Sequence, residues 1–170
     1  MRLLDFFTST RRPAAGTPSI SADELRERLM ALNRPSAPYV LHDGQDEHVD
    51  VIAEWKIVDA QWYEIFAKAG LAKTFKIYLK LRPDDHTIRA SDREYSIEWS
   101  AGVPSLSLAT SAFRGQKQSI QFGTAYAFTE TLRPGEVYNY RFDTRELKGP
   151  IQKAVTDGGW TYKGVAFGTL

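Results

Sequence analysis

Strict alternation of apolar and polar side chains within residues 73–101 constrains the fold of this chain more than any other sequence feature. In the first part of this stretch the apolar side chains occupy every second position: Phe75, Ile77, Leu79 and Leu81. A period of two residues is typical of a β-strand that buries one face and exposes the other. The pattern therefore predicts a strand over residues 73–82.

Two turn signals divide the remainder of this stretch. Pro83-Asp84-Asp85 follows the first strand, and a second break is predicted at Ser91-Asp92. Ile88 and Ala90 share one face between the two signals. The run after the second signal again alternates, with these large apolar residues: Tyr95, Ile97 and Trp99. Short connections of this kind favour an antiparallel meander with one apolar face and one solvated face.

The outward-facing charges change sign along the meander. They are basic on the first strand and acidic on the third, where Glu94 and Glu98 occur. If these strands lie within reach of each other, the solvent face carries cross-strand ion pairs worth roughly a few tenths of a kcal/mol each.

The near balance of basic and acidic residues indicates which classes of partner the protein is expected to bind. The chain has 170 residues, of which 22 are basic and 21 acidic, and its net charge is +1. A dedicated nucleic-acid-binding protein usually has a clear basic excess, so we expect no nucleic-acid partner. A local basic patch is compatible with this balance, because net charge does not report how charge is distributed.

Length and local composition predict one folded domain behind an N-terminal tail. Residues 1–20 form the predicted tail or linker, and residues 21–170 form a single α+β domain. A hydrophobic share of 42% is enough for a core. The chain has no cysteine, which excludes disulfides, thiolate metal sites and cysteine nucleophiles.

The apolar runs are too short for a transmembrane segment. None approaches the roughly 20 residues that a membrane-spanning helix needs, and we expect a cytoplasmic protein. Residues 1–7 include the apolar side chains of Leu3, Leu4, Phe6 and Phe7, and Arg11 and Arg12 follow them. One interpretation is a weak peripheral contact with anionic lipid. The interpretation that we favour is a terminal segment docked on its own domain.

Capping residues and apolar spacing predict three helices. Ser21 and Glu24 form a capping box at the start of the first helix. The second is predicted within residues 59–70, and the third ends at Gly158-Gly159. Pro150 is expected to distort the first turn of the third helix or to delay its start.

These elements add up to an α+β fold class. About eight or nine strands are predicted, most of them joined by short turns. A doubly wound parallel sheet is excluded, because it needs a helix at nearly every crossover. We expect a mainly antiparallel sheet that curls into a barrel-like or sandwich arrangement, with about three short helices.

A polar loop contains the histidine-and-carboxylate cluster of the sequence. The candidate metal ligands in it are His42, Asp46, His48 and Asp50. Imidazole and carboxylate groups together occur in the ligand sets of zinc, manganese and iron. The spacing matches no standard metal motif, and Asp-Gly in a polar run also makes an ordinary hairpin turn. A divalent metal is therefore the alternative hypothesis rather than the expected cofactor.

Aromatic residues on consecutive strands near the C-terminus indicate a second candidate site. The residues proposed to bind a ligand are Tyr126, Tyr138, Tyr140, Arg114 and Lys117. Tyrosines that line a concave sheet suit a small amphipathic molecule or a peptide, and a basic loop at the rim suits an anion. Most aromatic residues of an ordinary domain simply form its core, which is the competing interpretation.

No nucleophile motif and no phosphate-binding loop appears in the chain. We therefore expect a binding or interaction module without a cofactor, which takes a small molecule or a protein as its partner. The alternative is a metal-dependent enzyme that uses the loop of residues 42–50.

Overall fold

The computed structural model describes residues 9–59, 62–68, 70–108, 114–115, 126–129, 137–140, 144–165 and 170. These residues contain three α-helices: α1 (Ala22–Met30), α2 (Tyr63–Lys68) and α3 (Thr144–Asp157). They also contain nine strands: β1 (Tyr39–Asp43), β2 (Val51–Trp55), β3 (Lys73–Arg82), β4 (Thr87–Ser100), β5 (Val103–Leu108), β6 (Arg114–Gly115), β7 (Tyr126–Thr129), β8 (Val137–Tyr140) and β9 (Thr161–Gly164).

The strands form one curled sheet and one separate hairpin. Strands β1 to β5 are antiparallel neighbours in chain order. Strand β4 also pairs with β6, in antiparallel orientation, and with β9, in parallel orientation. Strands β7 and β8 pair only with each other among the described strands. The curled sheet makes a half-barrel, and with three helices it confirms the predicted α+β class.

Strand β4 is longer than the sequence predicts. The expected break at Ser91-Asp92 was wrong, because β4 continues through that point for 14 residues. The buried side chains nevertheless change parity along it, from the even positions up to Asp92 to the odd position of Ile97. The two halves of the strand have different neighbours on one side. Here β9 lies beside the first half and β5 beside the second.

Helix α1 begins as its capping box predicts. The Ser21 hydroxyl accepts a hydrogen bond from the Glu24 amide, and the Glu24 carboxylate accepts one from the Ser21 amide at 2.9 Å. These bonds satisfy two amide groups that a helix start leaves without intrahelical partners. Leu25 and Leu29 then face the core.

Helix α3 runs through Pro150 instead of starting late. It begins at Thr144 and ends at Asp157, so the expected delay did not occur. Proline lacks the amide hydrogen of an interior helical position and normally costs about 3 kcal/mol there. The helix buries an apolar stripe, which offsets that cost: Leu147, Ile151 and Val155.

Glycine residues end α3 as predicted. The Trp160 amide donates to the Val155 carbonyl at 3.1 Å, and the Gly159 amide donates to the Thr156 carbonyl at 3.0 Å. This paired pattern is a Schellman motif, which needs a left-handed residue after the helix. Gly159 supplies it with φ of +74°. The motif turns the chain back into β9.

The chain segment of residues 9–20, which was predicted as tail or linker, lies against this turn. The backbone of Arg11 exchanges two hydrogen bonds of 2.8 Å with that of Tyr162 in β9. The Trp160 indole donates to the Ile20 carbonyl at 2.8 Å, and the Ser19 hydroxyl donates to the Gly159 carbonyl at 2.9 Å. Backbone and side-chain bonds therefore hold this segment on the domain.

All three helices contribute to one main core with the inward face of the sheet. The contacts include Leu25 of α1, Phe66 of α2 and Ile151 of α3. The opposite face of the sheet, called the outer face below, carries a smaller apolar cluster of Val49, Ile52 and Tyr78. Both faces of the sheet are thus partly covered.

Candidate functional site

The loop proposed to bind metal forms a compact turn between β1 and β2. Residues Gln45–Glu47 make one 3-10 turn, and His48 closes it in the left-handed conformation with φ of +62°. The Asp50 carboxylate accepts a hydrogen bond from the Leu81 amide at 2.7 Å. The Nδ1 atom of His42 lies 2.9 Å from the Asp43 carbonyl oxygen, and its Nε2 atom lies 3.4 Å from the Glu54 carboxylate.

These contacts direct two of the four proposed ligands, His42 and Asp50, to different partners. Within the described residues, no group of three or more histidine, aspartate and glutamate side chains is placed to hold a metal ion. Asp50 instead ties the loop to β3, and His42 faces Glu54 of β2. The metal hypothesis for His42, Asp46, His48 and Asp50 stays a prediction.

The aromatic strands predicted near the C-terminus include β7 and β8, whose backbones pair as a hairpin. In the pairing of β7 with β8, Tyr126 lies opposite Tyr140 and Phe128 lies opposite Tyr138. The hairpin lies next to α2. Arg114 pairs in register with Arg93 of β4, whereas Lys117 lies outside the described residues. The ligand site proposed for this set stays a prediction.

An open hollow of about 280 Å³ lies at the β1 edge of the sheet. Its lining residues come from the loop after α1, from β1 and from the end of β2: Asn33, Arg34, Pro35, Tyr39, Val40 and Lys56. Sequence analysis did not identify this site, because its walls come from three segments that approach each other only in the fold.

The loop that forms one wall of the hollow is fixed to the edge of β1. The Asn33 side chain donates to the Leu41 carbonyl and accepts from the Leu41 amide, both at 2.7 Å. An amide side chain satisfies both backbone groups of one edge residue in this way, which also shields the edge from pairing with another strand. The Lys56 amide donates to the Pro38 carbonyl at 2.9 Å and closes the other side.

Lys56 is the polar centre of the hollow. Its Nζ atom lies 3.4 Å from the Arg34 carbonyl oxygen and 3.3 Å from the Pro35 carbonyl oxygen. It also lies 5.5 Å from the centre of the Trp62 ring, within cation–π range. Burial lowers the pKa of Lys56; the nearby Asp59 charge raises it, and the Arg34 charge lowers it further.

The outer face of the sheet carries an ordered cluster of cations and tyrosines. The Arg93 guanidinium lies 4.0 Å from the centre of the Tyr78 ring, and Lys76 lies 5.0 Å from that of Tyr95. The two tyrosine hydroxyls are hydrogen-bonded at 2.9 Å. Burial and the hydrogen bond with Tyr95 raise the pKa of Tyr78 far above its ordinary value, and the Glu47 carboxylate adds to the shift.

Cross-strand ion pairs are present on the sheet, one between the expected strands and one between others. Lys73 of β3 pairs with Glu94 of β4 at 3.3 Å, as predicted for these strands. Lys76 pairs instead with Glu54 of β2 at 2.6 Å. The β4 residue directly opposite Lys76 is Arg93, so like charges face each other there.

A buried polar cluster joins α3 to the sheet. The Lys148 ammonium lies 2.6 Å from the Asp92 carboxylate, and both residues are at most 5% exposed. The Tyr162 hydroxyl is buried nearby and has no hydrogen-bond partner among the described residues. Burial and the Asp92 charge raise the pKa of Tyr162 well above its ordinary value, against the lowering effect of Arg11.

Sequence analysis missed this cluster although two signals for it existed. Asp92 continues the alternating series of Ile88 and Ala90, which places it on the buried face. Lys148 precedes Ile151 by three residues, so it shares the apolar stripe of α3. An acid on one apolar face and a lysine on another predict a buried pair when both faces meet in one core.

Comparisons with known proteins found no matching family, no matching curated protein and no matching solved structure. In the described part of the chain, no helix has the length and apolar character needed to cross a membrane.

Proposed function

We propose that this protein is a binding module and that the hollow at Lys56 takes a small amphipathic anion. The observation that carries the proposal is the presence of two cationic residues, Lys56 and Arg34, beside an otherwise mostly apolar lining. Ligand sites typically combine apolar walls with a few polar groups that fix orientation.

The state of the Lys56 ammonium supports an anionic ligand. An ammonium has three N–H donors, and two carbonyl groups are in reach of them here. One donor is therefore left for a ligand. The nearby Asp59 charge favours the protonated lysine and the Arg34 charge disfavours it, and a bound anion is attracted to both cationic side chains. A hydrogen bond between two charged groups is stronger than one between neutral groups.

The size and rigidity of the hollow limit the ligand to a small molecule. Its volume of about 280 Å³ is at the lower end of the range for ligand sites, roughly 300–1,000 Å³. The Asn33 bonds to β1 hold one wall in place before binding. A preformed site loses less entropy when it takes a ligand than a mobile one does.

Titration calorimetry with octanoate and with octanol tests the proposal. These probes share their apolar chain and differ in charge, so we expect only octanoate to bind measurably. Lys56→Gln should weaken octanoate binding roughly 10- to 100-fold, because a hydrogen bond to a charged group contributes about 1.5–3 kcal/mol. Lys153→Gln is the matched control, because this exposed lysine pairs with Asp157 within α3. Equal affinity for octanol, or unchanged binding by Lys56→Gln, contradicts the proposal.

The pH dependence of octanoate binding gives a second prediction for the same site. Deprotonation removes the Lys56 charge, so affinity should fall as alkaline pH is reached. Because burial lowers the pKa of Lys56, this fall should begin at a lower pH than an exposed lysine would require. Affinity that stays constant up to the ordinary lysine pKa of about 10.4 contradicts a role for Lys56.

Native mass spectrometry of protein purified without added metal separates this proposal from the metal alternative. An excess mass that matches an organic anion and is lost in Lys56→Gln supports the hollow. An excess mass that matches a metal ion and is lost in His48→Ala supports the metal-dependent enzyme instead. Retention of an organic molecule in Lys56→Gln but not in Tyr138→Ala supports the aromatic hairpin as the ligand site.

A further inference from the structure

Strand β5 forms one edge of the curled sheet. Among the described strands it pairs only with β4, over its whole length and without a bulge. Ala101 and Gly102 join the two strands, and their φ angles of +49° and +80° are both in the left-handed region. Positive φ at both central residues is characteristic of a type I′ turn, a common two-residue hairpin connection. The β4–β5 hairpin is therefore regular, and the directions of its backbone groups follow from its turn.

The turn determines which backbone groups of β5 point away from β4. The residues that flank it, Ser100 and Val103, form a hydrogen-bonded pair across the hairpin. Hydrogen-bonded pairs recur at every second position of an antiparallel ladder, so the backbones of Ser105 and Ser107 also face β4. The backbone groups of the other three residues point away from β4: Pro104, Leu106 and Leu108. We call these outward groups the open edge of β5.

The open edge has donors and acceptors without partners in the described part of the chain. Pro104 fits it, because proline occurs on edge strands where its missing N–H would face solvent. Outside the ladder with β4, the backbones of Leu106 and Leu108 form no hydrogen bond with any described residue. At the β1 edge, by contrast, the Asn33 side chain satisfies both backbone groups of Leu41. Unpaired edge groups of this kind are a template for another strand.

The side chains of β5 favour a second copy of this chain as the partner. The strand has no charged residue, although natural sheet edges commonly carry one that blocks pairing. In an antiparallel pair about a two-fold axis each strand meets itself, so any charge would lie close to its own copy. An uncharged strand avoids this repulsion. The exposed Val103 and Leu108 side chains also leave apolar surface at both ends of β5.

We propose that two copies of this chain associate through antiparallel pairing of their β5 strands, centred on Leu106. In this register Leu106 lies opposite Leu106 of the second copy, and each donates its amide to the other's carbonyl. The Leu108 amide of each copy donates to the Pro104 carbonyl of the other. Both outward amides of each strand then have acceptors. Between these pairs, Ser105 of one copy lies opposite Ser107 of the other.

The short paired segment predicts a weak dimer. Strand β5 has six residues, and pairing along one such edge buries less surface than the roughly 1,600 Å² of a standard interface. We therefore expect a dissociation constant between about 1 µM and about 1 mM, so that dimer formation depends on protein concentration.

Sedimentation equilibrium of the full chain across this concentration range tests the association. We expect the average mass to rise from that of one chain toward that of two. Amide exchange measured by NMR then locates the interface. The Leu106 and Leu108 amides should become protected only as the dimer forms. The Ser105 and Ser107 amides bond to β4, so they should be protected at every concentration.

Two double variants test the proposed register. Both Ser105 and Ser107 are exposed, which makes charged side chains at these positions compatible with the fold. Ser105→Lys/Ser107→Glu places opposite charges across the interface, whereas Ser105→Lys/Ser107→Lys places like charges there. Opposite charges attract across paired strands and like charges repel, so the dissociation constant of the second variant should be roughly 10- to 100-fold higher.

An added Glu27→Lys change is the matched control for net charge. In the Ser105→Lys/Ser107→Glu background it shifts the charge of each chain as much as exchanging the introduced glutamate for lysine does, but at an exposed position of α1. It should leave the dissociation constant nearly unchanged. Leu108→Pro removes an outward amide without a bond to β4, and it should weaken the dimer roughly 10-fold.

Several outcomes overturn the proposal. One is a chain that stays monomeric up to about 1 mM, the weakest dissociation constant expected here. Another is equal dissociation constants of the two double variants, which rules out the register centred on Leu106. A third is protection of the Leu106 and Leu108 amides at every concentration, because another part of the same chain then occupies the open edge.

Discussion

At the scale of single residues, the ion pair of Lys148 with Asp92 has the largest expected effect on stability. Both side chains lie in the main core, where an isolated charge loses most of its hydration energy. Their mutual attraction compensates for that loss only while both partners are present. The pair therefore fixes α3 over the middle of β4, because any shift of the helix separates the charges.

Removal of one partner of this ion pair should lower the free energy of unfolding far more than removal of both. Lys148→Met leaves a buried carboxylate behind, and we expect it to lower the free energy of unfolding by about 3–5 kcal/mol. Lys148→Met/Asp92→Leu should recover most of this loss, because apolar residues can replace a buried pair. Chemical denaturation measures both variants.

The control for this comparison is Lys153→Met on the same helix. Lys153 is exposed and pairs with Asp157 at the surface, so its loss should change stability by less than about 0.5 kcal/mol. A Lys148→Met variant as stable as this control would show that the buried pair is energetically neutral.

At the scale of elements, the turn between α3 and β9 joins three parts of the molecule. It ends the helix, starts the parallel strand and receives the segment of residues 9–20. Gly159 needs its left-handed φ of +74° for the helix end. A Cβ atom at this position would also overlap the Pro18 carbonyl group and lie 2.7 Å from the Ser19 Cα atom. Backbone conformation and close approach therefore both require glycine.

Comparison with a second glycine separates these two requirements. Gly70 has a similar φ of +69° but open space around its missing side chain. Gly70→Ala should cost about 1–2 kcal/mol from backbone strain alone. Gly159→Ala should cost about 1–3 kcal/mol more, because the added methyl group also displaces the segment at Pro18. Equal losses in thermal or chemical denaturation would contradict the role of the close approach.

At the scale of the whole molecule, two buried tyrosines couple stability to alkaline pH. Burial raises the pKa of Tyr78 and of Tyr162, which lie in different clusters on opposite faces of the sheet. A raised pKa means that the folded state disfavours the ionised form. The stabilisation is therefore complete below the unfolded tyrosine pKa of about 10, and it is lost as the pH rises above that value.

We expect alkaline unfolding and tyrosine ionisation to be linked. The chain has eight tyrosines, and at least Tyr78 and Tyr162 should ionise only as the protein unfolds. Parallel measurements of tyrosinate absorbance and circular dichroism across alkaline pH check this. Tyr162→Phe should move the unfolding transition to higher pH. Complete ionisation of all tyrosines before any loss of structure would contradict the prediction.

Much of this architecture could be predicted because local rules specify it. The Ser21–Glu24 box requires only residues of the same turn, and it starts α1 where the sequence predicts. The alternation of residues 73–82 likewise requires only a sheet with one apolar side, whatever its neighbours. The break expected at Ser91-Asp92 was wrong because it depends on a distant residue. Asp92 stays within the strand as the buried partner of Lys148, and without knowledge of that partner its polar side chain indicates a turn.

The sequence by itself therefore determined the class of fold, the alternating pattern of β3, the start of α1 and the end of α3, because these depend on neighbours within a few positions. Only the tertiary structure determined which charged residues lie next to each other. Lys148 meets Asp92 across 56 residues. Lys80, Arg89 and Lys163 are in register on three strands because β9 pairs in parallel with β4. The hollow at Lys56 is closed by a loop more than 20 residues earlier in the chain. Such contacts depend on strand order and helix placement, which local periodicity does not encode.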